Sequence, residues 1–188
     1  MTSPRLAPLA PPHDPELASL LERLRLGLPE PLALFRTLAH APRVLSRVAA
    51  GGMLDRGPVP LRLRELVILR TTARLGAEYE WGVHVAGFAA KAQLSEDEIR
   101  GTVLDAPGAA GHGHAWQGDD ALVLSLVDAL VDTATLDDAL YAELSSRFAP
   151  DALLELVALV GFYHLISFQV RALRLPREPF APPFPRSA

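Results

Sequence analysis

Apolar positions recur every three to four residues through most of the middle of the chain, a rhythm that predicts helices rather than strands. Leu63, Leu66, Val67 and Arg70 fall on one face of a helix expected over Arg62–Leu75, with Gly76 as its stop. Leu122, Leu126, Ala129 and Leu130 do the same for Asp119–Thr133. Pro15–Leu26 and Pro31–Ala39 each open on a proline suited to a first turn, and Pro42–Gly51 follows after a short break. Glu78–Ala92 comes next, then a short helix to Leu104 that opens on Ser95-Glu-Asp-Glu98, the pattern of a capping box. Leu136–Arg147 and Asp151–Leu173, the latter with Asp151 as its expected cap, complete the set.

Proline divides the chain. Of 17 prolines, ten lie in residues 1–60 and five in 176–188, leaving Pro107 and Pro150 where helical patterns stop. The organisation expected is a Pro-rich arm and first helix (1–29), a helical domain (30–175) and a Pro-rich extended tail (176–188). That tail is expected to strap across a neighbouring subunit. Glu65-Leu-Val-Ile-Leu69 and Glu155-Leu-Val-Ala-Leu159 echo each other 90 residues apart, a weak sign of duplication in a Leu-rich chain.

Composition sharpens this picture. Leu and Ala supply 63 of 188 residues and Ile only 3, which favours an all-α fold. With 18 basic against 22 acidic side chains and few aromatics, no stripe suits nucleic acid. The most apolar stretch, Ala152–Phe168, is broken by Glu155 and His164 and is shorter than the roughly 20 residues of a membrane span. The N-terminus holds no secretory apolar run. A cytoplasmic protein without membrane partners is expected, and so apolar a chain is expected to form a homo-oligomer. Cysteine is absent, which excludes disulfides, thiolate metal sites and thiol redox or nucleophilic chemistry.

The candidate chemistry concentrates in Glu65 and in Gly76-Ala-Glu-Tyr-Glu-Trp-Gly-Val-His84. A break at Gly76 would fold Glu65 back toward Glu80, and Glu80 and His84 stand at i and i+4 on one helical face. Glu78 and Glu80 occupy a first turn, where the helix dipole favours negative charge. His84, titrating near neutrality, is the natural proton shuttle. Such a Glu–His pair also arises on solvated helices, and Tyr79 and Trp81 also serve as core anchors. His164, on an apolar helix beside Tyr163, reads first as a core histidine. His40 reads as a helix end, and Gly111-His-Gly-His114 as a surface loop short of a third ligand.

Leu63-Arg-Glu-Leu-Val-Ile-Leu-Arg70 with Glu78-Tyr-Glu-Trp81 and His84 resembles the carboxymuconolactone decarboxylase-like family, related to alkylhydroperoxidase D. The flanks Leu34-Phe-Arg-Thr-Leu-Ala-His40 and Leu94-Ser-Glu-Asp-Glu-Ile99 agree, so the resemblance covers roughly residues 30–175. It implies an alkylhydroperoxidase D-like helical fold assembled as dimers, trimers or hexamers. Peroxidase members place Glu and His where Glu65 and His84 stand, and a Cys-x-x-Cys pair where this chain has Ala77 and Glu80. The acid–base half of that site carries over and the redox half does not. The resemblance therefore implies cofactor-free acid/base chemistry, of decarboxylation or isomerisation type, on a small carboxylated or lactone substrate. Glu65, Glu80 and His84 are the expected catalytic groups, and Tyr79, Trp81, Arg70 and His164 the expected substrate contacts; Arg70 or Arg74 would hold a carboxylate. No metal is expected. Two alternatives stand beside this reading: a metal site built from Glu65, Glu80, His84 and His164, and a non-catalytic oligomeric stress-response module.

Overall fold

The protein is known here from a computed structural model, which describes residues 3–25, 27–106 and 116–186. Among these residues the ordered elements are all helical. They are α1 (Pro15–Arg23), α2 (Ala33–Leu38), α3 (Pro42–Gly51), α4 (Leu61–Arg74), α5 (Glu78–His84), α6 (Glu96–Leu104), α7 (Gly118–Thr133), α8 (Asp138–Arg147) and α9 (Pro150–Ala172), with a π-helical turn at Val85–Ala89 after α5. The Gly111-His-Gly-His114 segment lies outside the described residues.

The hub is α4, which packs against α5, α6, α7 and α9. Every residue from Leu63 to Thr72 is buried, including Arg64, Glu65 and Arg70. Enclosing charged side chains on all sides of a helix is costly unless each finds a partner. Arg70 meets that condition through a bidentate pair with Asp128 of α7, at 2.8 and 2.9 Å. Its remaining nitrogen donates to the carbonyls of Thr102 and Asp105. Arg74 joins Asp128 and Asp132, and Arg62 joins Asp120 and Glu98.

Helix ends follow the expected signals in most places. Gly76, at φ +66°, stops α4, with the Ala77 amide returning to Thr72 O at 2.8 Å. Ser95 and Glu98 form the full capping box of α6. Asp14 caps α1 and Asp137 caps α8. Two expectations are corrected. Asp151 does not cap α9: Pro150 takes the first helical position, Ala149 stands at the cap, and the Asp151 carboxylate accepts from the Ala152 amide instead. α2 begins at Ala33 rather than Pro31, because its free amides are met from elsewhere in the chain.

That outside partner is the tail, and here too the structure differs from expectation. Residues 176–186 fold back on their own chain. Glu178 Oε1 accepts from the Ala33 amide and from the Tyr79 hydroxyl, both at 2.6 Å, and Tyr79 in turn accepts from the Leu34 amide. The Phe184 amide donates to Glu78, the Phe184 ring meets Trp81 edge-on, and Pro182 O passes over Gly82. A carboxylate at the N-terminus of α2 also complements the helix dipole.

α9, with mean hydropathy 1.7 over its apolar window, is long and apolar enough to cross a membrane by length and composition. Leu156, Leu159, Val160, Tyr163, Ile166 and Val170 bury its inner face against α4 and neighbouring helices, as in a core helix. Leu154, Val157, Leu165 and Phe168 remain exposed on the other side. Of the two echoed segments, Glu65 lies at the centre of the core, whereas Glu155 lies against Gly57.

Candidate functional site

The turn at Gly76 reverses the chain so that α5 lies against α4, and this brings Glu65, Glu80 and His84 together. His84 Nδ1 is 2.8 Å from Glu65 Oε2, and His84 Nε2 is 3.5 Å from Glu80 Oε1. One imidazole thus stands between two carboxylates, with all three side chains buried. The ring is held by a stacked contact with Phe88 of the π turn, at 5.2 Å between centroids, and an edge contact with Tyr163 of α9 at 5.1 Å.

The electrostatics follow from this enclosure. Burial by itself disfavours the imidazolium, but the hydrogen bond and charge of Glu65, then those of Glu80, outweigh it and raise the His84 pKa to about 9. At neutral pH His84 is a cation whose Nδ1 donates to Glu65 and whose Nε2 forms an ion pair with Glu80. Arg64 supplies the second positive charge: its Nε donates to Glu65 Oε1 at 3.1 Å. Two carboxylates, an imidazolium and a guanidinium therefore balance inside the core.

Arg64 also reaches the wall of a cavity. Its Nη1 donates to the carbonyls of Leu54 and Asp55, in a segment where Met53 adopts φ +44°, a left-handed conformation that a non-glycine residue holds only when its surroundings fix it. The cavity, about 370 Å³, is lined by α2, α3, residues 52–55, α5 and α9. Its walls are apolar (Leu34, Phe35, Val48, Phe162 and Ile166 among them), with Glu80 and Tyr163 as the buried polar side chains. Glu80 Oε2 is buried and has no hydrogen-bond partner among the described residues. Buried carboxylate oxygens are rarely left so.

The residues expected to touch substrate are placed elsewhere, and none of the four lines this cavity. Arg70 has its donors committed to Asp128, Thr102 and Asp105, and Arg74 is committed to Asp128 and Asp132. Trp81 Nε1 donates to Thr102 Oγ1 at 3.0 Å. Tyr79 braces the tail. His164 packs on the exposed Phe168 ring. A metal site of Glu65, Glu80, His84 and His164 does not fit: both ring nitrogens of His84 face carboxylates, and His164 lies on another face of α9. His40, exposed, reaches Ala7 O. Tyr163 is the residue the sequence undervalued. Its signal was positional: at seven residues from Leu156 and four from Leu159 it shares their buried face, which the adjacent His164 cannot.

Residues 39–122 match the carboxymuconolactone decarboxylase family. No curated protein matches the chain. Among solved structures, a peroxidase-related protein with an alkylhydroperoxidase D core from Ralstonia eutropha JMP134 is similar at TM-score 0.76 and 14% identity, over 93% of each chain. A peroxidase-related protein from Silicibacter sp. TM1040 is similar at TM-score 0.71 and 18% identity, over 95% of this chain and 96% of that one. The apo debrominase Bmp8 is similar at TM-score 0.71 and 14% identity, over 93% of this chain and 92% of that one. These likenesses establish an alkylhydroperoxidase D-like fold.

Proposed function

From the premise that residues 39–122 belong to the carboxymuconolactone decarboxylase family, we propose that the chain is a cofactor-free enzyme that moves protons on a small, neutral, mostly apolar carbonyl substrate such as a lactone, with Glu80 as the base. The observation that carries this reading is Glu80 Oε2, unpartnered at the wall of an apolar cavity. Its sister oxygen is oriented by His84, and His84 by Glu65, so the base is held from behind while one oxygen stays open.

The cavity favours isomerisation over decarboxylation. A carboxylated substrate would set its charge against Glu80 in a low-dielectric space, and both nearby buried guanidiniums are already engaged, Arg64 by Glu65 and Arg70 by Asp128. A neutral carbonyl compound meets no such penalty. Thiol peroxidase chemistry has no thiol to run on, since the chain has no cysteine; by the family resemblance, Ala77 and Glu80 stand where peroxidase members carry theirs. The expected homo-oligomer fits the exposed apolar stripe of α9, which a second copy would cover.

The test is deuterium exchange at the carbon next to the carbonyl of γ-butyrolactone and cyclohexanone, followed in D2O by proton NMR. Wild type is expected to accelerate exchange ~100-fold or more over buffer, within the range of a positioned base. Glu80→Gln, with an unchanged circular dichroism spectrum, is expected to return it to background. Exchange at the buffer rate for both probes, or full activity in Glu80→Gln, defeats the proposal.

A further inference from the structure

Removing a proton beside a carbonyl pushes negative charge onto the carbonyl oxygen, and an enzyme that does so needs a donor aimed at that oxygen. We propose that the Tyr163 hydroxyl is this donor, set across the cavity from Glu80, so that the substrate lies with its acidic C–H toward the carboxylate and its oxygen toward the phenol. This rests on the reading of Glu80 as the base and adds the group that stabilises what the base creates.

Three observations support it. Tyr163 lines the same cavity as Glu80 while remaining buried, and the two are the cavity's buried polar side chains. Its ring is fixed between the edge contact with His84 and a second with Phe162, at 5.4 Å and 77°, so the hydroxyl is positioned rather than free to sweep. And among the described residues that hydroxyl makes no hydrogen bond, in contrast to the other buried tyrosine, Tyr79, whose hydroxyl both donates to Glu178 and accepts from the Leu34 amide. Tyr163 Oη is not one of the fully enclosed unpartnered atoms, so it is open to the cavity, where a ligand oxygen can meet it.

The protonation state suits the role. Burial, reinforced by the charges of Glu80 and Glu65 and only partly opposed by Arg64, holds the phenol well above its ordinary pKa. Tyr163 therefore keeps its proton at working pH and acts by hydrogen bonding. In the step itself, Glu80 Oε2 takes the proton from the carbon next to the carbonyl. The C–H electron pair becomes the new C=C bond and the carbonyl π pair moves to oxygen, where the Tyr163 O–H meets it. Return of the proton from Glu80 to the same carbon gives exchange, and to a conjugated carbon gives isomerisation. Nothing is oxidised or reduced, and no co-reactant is consumed.

The experiment uses cyclohexanone with a 13C-labelled carbonyl, bound to the full chain and observed by difference infrared spectroscopy alongside the exchange assay. Wild type is expected to shift the bound carbonyl stretch to lower frequency. Tyr163→Phe is expected to abolish that shift and slow exchange ~100- to 1,000-fold, as loss of one oxyanion donor does. Glu80→Gln is expected to keep the shift while losing exchange. A shift without exchange in wild type defeats the base and leaves the Tyr163 contact standing. Exchange with no shift, or equal shift and rate in Tyr163→Phe, defeats the Tyr163 assignment and leaves the base standing. No bound ketone in wild type overturns both. If Tyr163→Phe fails to fold, wild type in which every tyrosine is replaced by 3-fluorotyrosine, a stronger donor, decides: a larger downshift supports the assignment, because Tyr163 is the tyrosine that lines the cavity, and an unchanged one overturns it.

Discussion

The enclosed imidazolium makes folding stability depend on pH in a way that can be worked out in advance. His84 has a pKa of about 9 in the folded protein against 6.5 for the free side chain. The folded state therefore binds the proton more tightly, and the resulting stabilisation is fully present below pH 6.5 and lost as pH rises through 9. At 1.36 kcal/mol per pKa unit, the whole effect is about 3 kcal/mol, a large share of the 5–15 kcal/mol typical of a domain. Urea unfolding of wild type and of His84→Gln at intervals from pH 6 to pH 10 measures it. The glutamine variant retains polar contacts but carries no titrating charge at that position. Contributions from groups common to both proteins cancel in the difference. The difference in unfolding free energy is expected to narrow by about 3 kcal/mol across the window, all on the wild-type side. In parallel, the His84 ring resonances in 15N NMR are expected to titrate with a midpoint near 9. Parallel stability curves, or a ring midpoint at or below the ordinary value, would refute the argument that Glu65 and Glu80 together outweigh burial.

Three further outcomes follow from the packing. Arg70→Met leaves the buried Asp128 without its bidentate partner and is expected to cost about 3–5 kcal/mol in urea unfolding, with Arg70→Met/Asp128→Leu recovering part of it. Gly82→Ala places a methyl against Pro182 O, closer than non-bonded atoms approach, so the tail must lift. Limited proteolysis followed by mass spectrometry is expected to cut the variant within residues 176–186 faster than wild type. Phe168→Glu charges the exposed stripe of α9. Sedimentation is expected to show a smaller assembly with unchanged helix content, and an unaltered sedimentation coefficient speaks against that stripe as the contact between copies.

What could be read from the sequence divides along a physical line. Signals carried by neighbours in the chain were legible: Gly76 ending α4, the Ser95–Glu98 capping box, proline opening α1 and α3. The pairing of Glu80 with His84 was equally local, and Glu65 joined them because one tight turn suffices to bring α5 back. Arg70 shows where this stops. Its neighbours give no hint that Asp128, 58 positions away, takes its guanidinium. The periodicity of α4 predicts one apolar face, but the helix is buried on every side from Leu63 to Thr72, and Arg62, Arg70 and Arg74 are matched by acids on other helices. Asp151 looked like a cap by residue type, and Ala149 holds that place because Pro150 fixes the first turn. The cavity, and with it the importance of Tyr163, depends on α2, α3 and α9 meeting, which no local pattern encodes.

The clasp formed by Glu178 has a consequence for how the protein is made. The Ala33 amide donates to Glu178 and the Leu34 amide to the Tyr79 hydroxyl, which itself donates to Glu178, and Leu34 and Phe35 are part of the chamber around Glu80. A ribosome that has released everything up to residue 175 has produced most of the helical body but not the brace that fastens this wall. The chamber is completed only when the segment beginning at Pro176 has emerged and settled over Gly82, so Glu80 acquires its finished surroundings only in a chain that has been synthesised through that segment.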